Sequence, residues 1–127
     1  MNVPETVLAA MQRTNALFNS YVVGKQEINE LDRVYTRNAH VLPPGGGMVK
    51  GREQVKTFWQ GAIKALGLKS AKLTTVDAEA TGDRVFEIGL AELVVGSGDT
   101  VAVKYVVQWK QEDGEWKWHV DIWNTNQ

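Results

Sequence analysis

The chain has 127 residues, enough for one domain spanning 1–127 with a single core, and its formal net charge of −1 offers no basic field to nucleic acid. The absence of cysteine excludes disulfides, thiolate metal sites and cysteine nucleophiles together. The opening MNVPETVLAAMQ has no basic stretch leading into a continuous apolar run, and no apolar run is long enough to span a membrane, so a soluble cytoplasmic protein with no membrane association is expected.

Pro4 suits the first turn of a helix and Glu5 complements the positive end of its dipole. Val7, Leu8, Met11, Leu17 and Phe18 follow at helical spacing, which predicts a helix over 4–19. A short second helix is expected over 26–35, with Ile28, Leu31 and Tyr35 on one side. Residues 38–42 read as a short strand, stopped by Pro43-Pro44 and the three glycines that follow. The clearest helix is 52–66, where Val55, Phe58, Trp59, Ala62, Ile63 and Leu66 keep the i, i+3, i+4 rule and Gly67 sits at the stop.

Beyond Gly67 the period changes to two. Strands are predicted over 69–78, 84–95, 100–110 and 115–123, separated by glycine-bearing turns. About three helices followed by an antiparallel meander is an α+β layout, a curved sheet with the helices packed on one face. The last two strands meet at Asp113-Gly114, a pair that favours a two-residue type I′ turn because both positions need positive φ.

That turn sets a register in which Trp109 opposes Trp118, Gln108 opposes His119 and Val106 opposes Asp121. One face of the ribbon then carries Tyr105, Val107, Trp109, Trp118, Val120 and Ile122. The other carries Lys104, Val106, Gln108, His119, Asp121 and Trp123. The first is apolar enough to predict a homodimer through the sheet, and the second reads as the lining of a ligand cavity. A bulge in either strand would shift this assignment.

AHVLPPGG at 39–46, GREQVKTFW at 51–59, EIG at 87–89, KYVVQWKQEDGEWKW at 104–118 and DIWN at 121–124 carry a wider resemblance. In these stretches and in the order of its elements the chain resembles the SnoaL-like and ketosteroid-isomerase-like superfamily, with its cone-shaped nuclear transport factor fold. It is especially similar to a subfamily of small bacterial domains of unassigned function. The resemblance implies a pocket between the concave sheet face and the helices, and often a homodimer through the other face. Ketosteroid isomerase uses an aspartate base with an oxyanion hole made of a tyrosine and a protonated aspartate. The tyrosine position falls here at about Thr14, the base at Pro43 and the protonated aspartate near Val106, so that mechanism does not carry over.

Asp121, between apolar neighbours, is the candidate acid or base, and His119 on the same face is a candidate to share its proton. The bland alternatives are a strand-fixing ion pair with Lys104 or an arginine for Asp121, and a sheet-rim hydrogen bond for His119. Trp123, Trp59 and Phe58 are candidate aromatic walls for a flat ligand, though aromatic residues in such places are first of all core. Gln108, Lys104 and Glu87 complete the candidate ligand contacts, and Gly89 beside Glu87 implies close packing of a ligand or helix. Two histidines without cysteine or a carboxylate cluster provide no metal site, and no cofactor is expected. Gly46-x4-Gly51 has phosphate-loop spacing, but Arg52 and Glu53 stand where Lys and Ser/Thr are required, and no Gly-x-Ser-x-Gly elbow occurs.

Two classes of function remain open. One is a small enzyme performing acid/base chemistry of isomerase, cyclase or hydrolase type on a hydrophobic ring compound. The other is a non-catalytic ligand-binding or dimerisation module.

Overall fold

In the computed structural model, which describes residues 1–126, helix α1 spans Glu5–Leu17 and runs into a π-helical turn, Phe18–Val23. The turn extends the helix beyond its predicted end because Phe18, Val22 and Val23 are all buried. Residues Ile28–Arg33 form a 3-10 turn where a second helix was expected. Strand β1 is correspondingly longer, Tyr35–Leu42, and β2 is the short Val49–Lys50. Helix α2, Arg52–Leu66, has its predicted bounds, closed by Gly67 in the left-handed conformation. Strands β3 (Ser70–Thr81), β4 (Arg84–Val94), β5 (Thr100–Glu112) and β6 (Glu115–Thr125) complete the chain.

The six strands form one sheet in the order β2-β1-β6-β5-β4-β3. Strands β3 to β6 are the expected antiparallel meander, but β1 lies parallel to β6, so the sheet is mixed. This matters for the site. Strand β6 is bonded on both edges, which fixes the backbone under its side chains. The helices cover one face of the sheet, with Met11, Phe18, Val55 and Ile63 packed on Tyr35, Tyr105, Val107, Trp109 and Trp118. The result is the α+β cone architecture.

The Asp113-Gly114 turn has φ of 55° and 75°, the two positive values of a type I′ turn, and Glu112 opposes Glu115 as the turn dictates. Trp109 opposes Trp118 as expected. The register then shifts between Gln108 and Trp109, with Gln108 opposite Val120, Val107 opposite Asp121, and Tyr105 opposite Trp123. His119 is the extra residue, a β-bulge that reverses the sidedness of β6 beyond it.

Two expectations are corrected by this bulge. The face of Tyr105, Val107, Trp109 and Trp118 is not a dimer surface, because it is buried against the chain's own helices. Val120 and Ile122 do not join it. The bulge sends them to the other face, and brings Asp121 and Trp123 inward in their place.

The face turned away from the helices has its own apolar row. Ile88, Val106 and Ile122 are cross-strand neighbours on β4, β5 and β6, exposed to 53%, 40% and 40%. Phe86 and Leu90 extend the row along β4 and are also exposed.

Candidate functional site

Asp121 is 5% exposed on the central strand of the sheet, walled by apolar and aromatic side chains. Its one side-chain hydrogen bond among the described residues is from the Tyr35 hydroxyl, which donates to Oδ2 at 2.5 Å. The Tyr35 oxygen in turn accepts from Trp59 Nε1 at 3.0 Å. Three elements therefore meet at this point: β1 supplies the phenol, α2 the indole and β6 the carboxyl. Burial raises the Asp121 carboxyl to about 7, the Tyr35 bond opposes that rise, and the negative Glu87 adds to it. Burial beside Asp121 pushes the Tyr35 phenol well above its ordinary range, so it stays a proton donor.

The cavity in front of Asp121 is about 50 Å3, bounded by Phe18 and Trp59 on the helical side and by Leu73, Leu93, Val103, Tyr105 and Trp123 on the sheet. Two of its lining residues, Trp59 and Trp123, stack on one another with centroids 5.3 Å apart and planes at 18°. Phe58 braces that pair edge-on, 5.2 Å from Trp59 and 5.9 Å from Trp123. An apolar cavity of ~150 Å3 admits benzene, so a ring compound fits here only if lining side chains move apart. A larger cleft of about 800 Å3 lies between residues 22–28, the C-terminal half of α2 and Gly96. It shares no lining residue with the cone cavity, and its charged lining residues are Lys64 and Lys69, without a carboxylate or imidazole.

Glu87 forms a second polar knot deeper in the cone, fully buried. It accepts from Trp109 Nε1 at 3.0 Å on Oε1, and on Oε2 from Thr75 and Tyr105 hydroxyls, each at 2.6 Å, and from Asn15 Nδ2 at 3.3 Å. Four donors without a cation account for its burial. Gly89 has a matching reason. A Cβ there would fall inside the Tyr105 ring, so the close packing expected at EIG is by the chain's own tyrosine. Burial raises the Tyr105 phenol far above its ordinary range, with the charges of Glu87 and Asp121 adding to the rise.

The remaining candidates are placed elsewhere. His119, on the bulge, sets Nδ1 2.7 Å from the Thr36 hydroxyl rather than facing Asp121. Burial lowers its pKa, helped by the positive Lys110 and Arg84, so the ring is neutral at pH 7. Gln108 accepts from Arg84 Nη1 at 3.2 Å, and exposed Lys104 donates to the Thr125 carbonyl at 2.8 Å. Both lie on the face away from the helices, because the β5 parity was assigned to the wrong side. The alternative of an ion pair between Asp121 and Lys104 or an arginine is therefore not formed among the described residues. Among those residues no cluster of three or more His, Asp or Glu is placed to hold a metal ion.

The sequence profile of the SnoaL-like domain matches residues 14–119. The chain belongs to the SnoaL-like domain family. Asp121 and Trp123 lie just beyond the matched segment. No functionally curated protein matches in sequence. A Nostoc punctiforme protein of unknown function with a cystatin-like fold is 12% identical and superposes with a TM-score of 0.78, covering 99% of this chain and 96% of that one. The hexachlorocyclohexane dehydrochlorinase LinA-type3 of Novosphingobium barchaimii is 19% identical at a TM-score of 0.73, over 96% and 88% of the two chains. A candidate dehydratase of the NTF2-like family from Streptomyces avermitilis is 12% identical at 0.77, over 98% and 99%. At such identities the likeness is one of fold.

Tyr35 and Tyr105 were missed as site residues. Tyr35 reads as the last apolar position of a helix, whereas it opens β1, and the exposed Arg37 at the same parity hides the strand in the sequence. Tyr105 was placed on the opposite face by the same bulge that misplaced Gln108.

Proposed function

We propose that this SnoaL-like protein binds a small hydrophobic ring compound in the cone and that Asp121 exchanges a proton with it. The observation that carries the reading is a buried carboxyl, raised to about 7, at the wall of an apolar cavity and held by a single tyrosine hydroxyl. A base whose pKa lies near the working pH combines a useful fraction of carboxylate with real proton affinity. Oδ1, free of the Tyr35 bond, takes the proton from the substrate while Tyr35 continues to donate to Oδ2. A dehydrochlorinase among the similar folds acts, by its name, through loss of hydrogen chloride from a ring. Such an elimination needs a base, and the isomerase, cyclase and hydrolase chemistries open to this fold need one as well.

The second reading is a non-catalytic binding module, favoured by a small cavity of about 50 Å3 with no cationic group in its lining. Trp59 and Trp123 fluorescence reports binding, and turnover separates the two. Added ring compounds should perturb the indole emission under both readings. Under the enzyme reading Asp121→Asn retains this response and loses turnover, whereas a module has no turnover to lose. No response to any of a varied set of cyclic hydrocarbons, terpenes and chlorinated rings would sink both.

We also propose that the chain pairs with itself through the face away from the helices, using Ile88, Val106 and Ile122 at the centre. An exposed row of branched aliphatics across three strands supports this.

A further inference from the structure

Trp59 is packed on both sides, stacked on Trp123 and edge-on to Phe18 at 5.0 Å and 70°. Packing alone accounts for an aromatic ring there, but not for its nitrogen. An indole N–H can only donate, and a part-buried one needs an acceptor; here it takes the Tyr35 oxygen at 3.0 Å. That oxygen carries one proton of its own. With the Trp59 N–H aimed at it, the phenol proton cannot turn towards Trp59 without setting two donors against each other. The remaining acceptor is Oδ2 of Asp121, at 2.5 Å.

We propose that Trp59 is a positioning residue for Asp121, acting through the Tyr35 hydroxyl: it pins the phenol proton on Oδ2 and so leaves Oδ1 as the oxygen that works in the cavity. This rests on the reading of Asp121 as the cavity base. Without the indole N–H, the Tyr35 hydroxyl has a second orientation open to it, and Asp121 loses its one donor for part of the time. A donor shared along a chain is also strengthened by the donor behind it, so the Trp59 bond sharpens the Tyr35–Asp121 bond. The titratable groups that act on Asp121 are Tyr35 from β1, Glu87 from β4 and Tyr105 from β5, and no basic side chain is among them. The phenol bond is thus the sole interaction in this set that favours the charged carboxylate.

The test is a carbon-13 NMR titration of the Asp121 carboxyl in the intact protein and in variants. Trp59→Phe keeps an apolar ring and removes the N–H. Replacement of Trp59 by benzothienylalanine, which has sulfur in place of the N–H, keeps the bicyclic shape and serves if the phenylalanine variant does not fold. Either should raise the Asp121 midpoint by roughly one unit, a tenfold gain in proton affinity. Trp123→Phe, which changes the same stack without touching the hydrogen bond, should leave it in place. In a Tyr35→Phe background the Trp59 effect should vanish. An unchanged midpoint in the benzothienyl protein would overturn the proposal, as would an equal shift with Trp123→Phe or a Trp59 effect that persists without the Tyr35 hydroxyl. If the unmodified protein titrates near the free-aspartate value of about 3.9, the base reading itself is what fails.

Discussion

Burial that holds the Asp121 carboxyl at about 7, against its ordinary 3.8, also fixes the sign of a stability change. Between those values the folded chain keeps a proton that the unfolded chain releases, so stability is lost as pH rises from about 4 to about 7. Three units correspond to about 4 kcal/mol, a ceiling for this one group. His119 works in the opposite sense, since its lowered pKa costs stability as pH falls below the ordinary 6.5. Asp121→Asn keeps an acceptor for Tyr35 and removes only the acid, so comparing the two proteins cancels the histidine. Its melting temperature should exceed that of the unmodified protein at pH 8 and approach it at pH 5. A difference that does not change between those two pH values would mean that Asp121 titrates in the ordinary range.

Among the elements, those set by local chemistry were legible in the sequence. Helix α2 was readable to the residue because its apolar stripe and Gly67 agree on the same end. The β5–β6 turn was readable because Asp113-Gly114 tolerates positive φ at both positions. Gly114→Val puts a β-branched side chain at φ 75° and should cost roughly 1–3 kcal/mol, read as a lower denaturant midpoint. The bulge at His119 was not legible, since nothing in WKWHVDIW distinguishes an extra residue from a regular one. It lets Trp118 and Trp123 both bury their indoles in the cone, which strict alternation from Trp118 cannot deliver, and it carries Asp121 inward with Trp123. Asp121 and Trp123 were placed inward by assigning them the wrong neighbours, whereas Gln108 and Lys104 were carried to the wrong face with them. The Tyr35–Asp121 pair escaped notice for another reason: it depends on a parallel β1–β6 contact that joins residues far apart in sequence. Gly89→Ala tests the packing that Tyr105 imposes on β4. With the phenol held by Glu87, the ring has no easy retreat, and overpacking should cost about 3 kcal/mol or more in urea unfolding. A loss below about 1 kcal/mol would show that Tyr105 moves freely.

At the scale of the whole molecule, the cone keeps the Tyr35–Asp121 pair inside and turns the Ile88, Val106 and Ile122 row outward. Self-pairing through that row predicts a dimer by light scattering at micromolar concentration. Val106→Glu should give a monomer with unchanged circular dichroism, because the side chain already contacts solvent. A monomeric unmodified protein would remove the proposed interface and leave the cavity chemistry untouched. The proposed cavity chemistry depends on one property, a carboxyl at the centre of the sheet that exchanges its proton near neutrality. Carbon-13 NMR of the Asp121 side chain in the unmodified protein, followed from pH 4 to pH 9, measures it directly. A single midpoint close to 7 is the predicted result. A midpoint near the free-aspartate value of about 3.9 would contradict it, because a carboxylate that is ionised throughout this range has no proton to exchange at working pH.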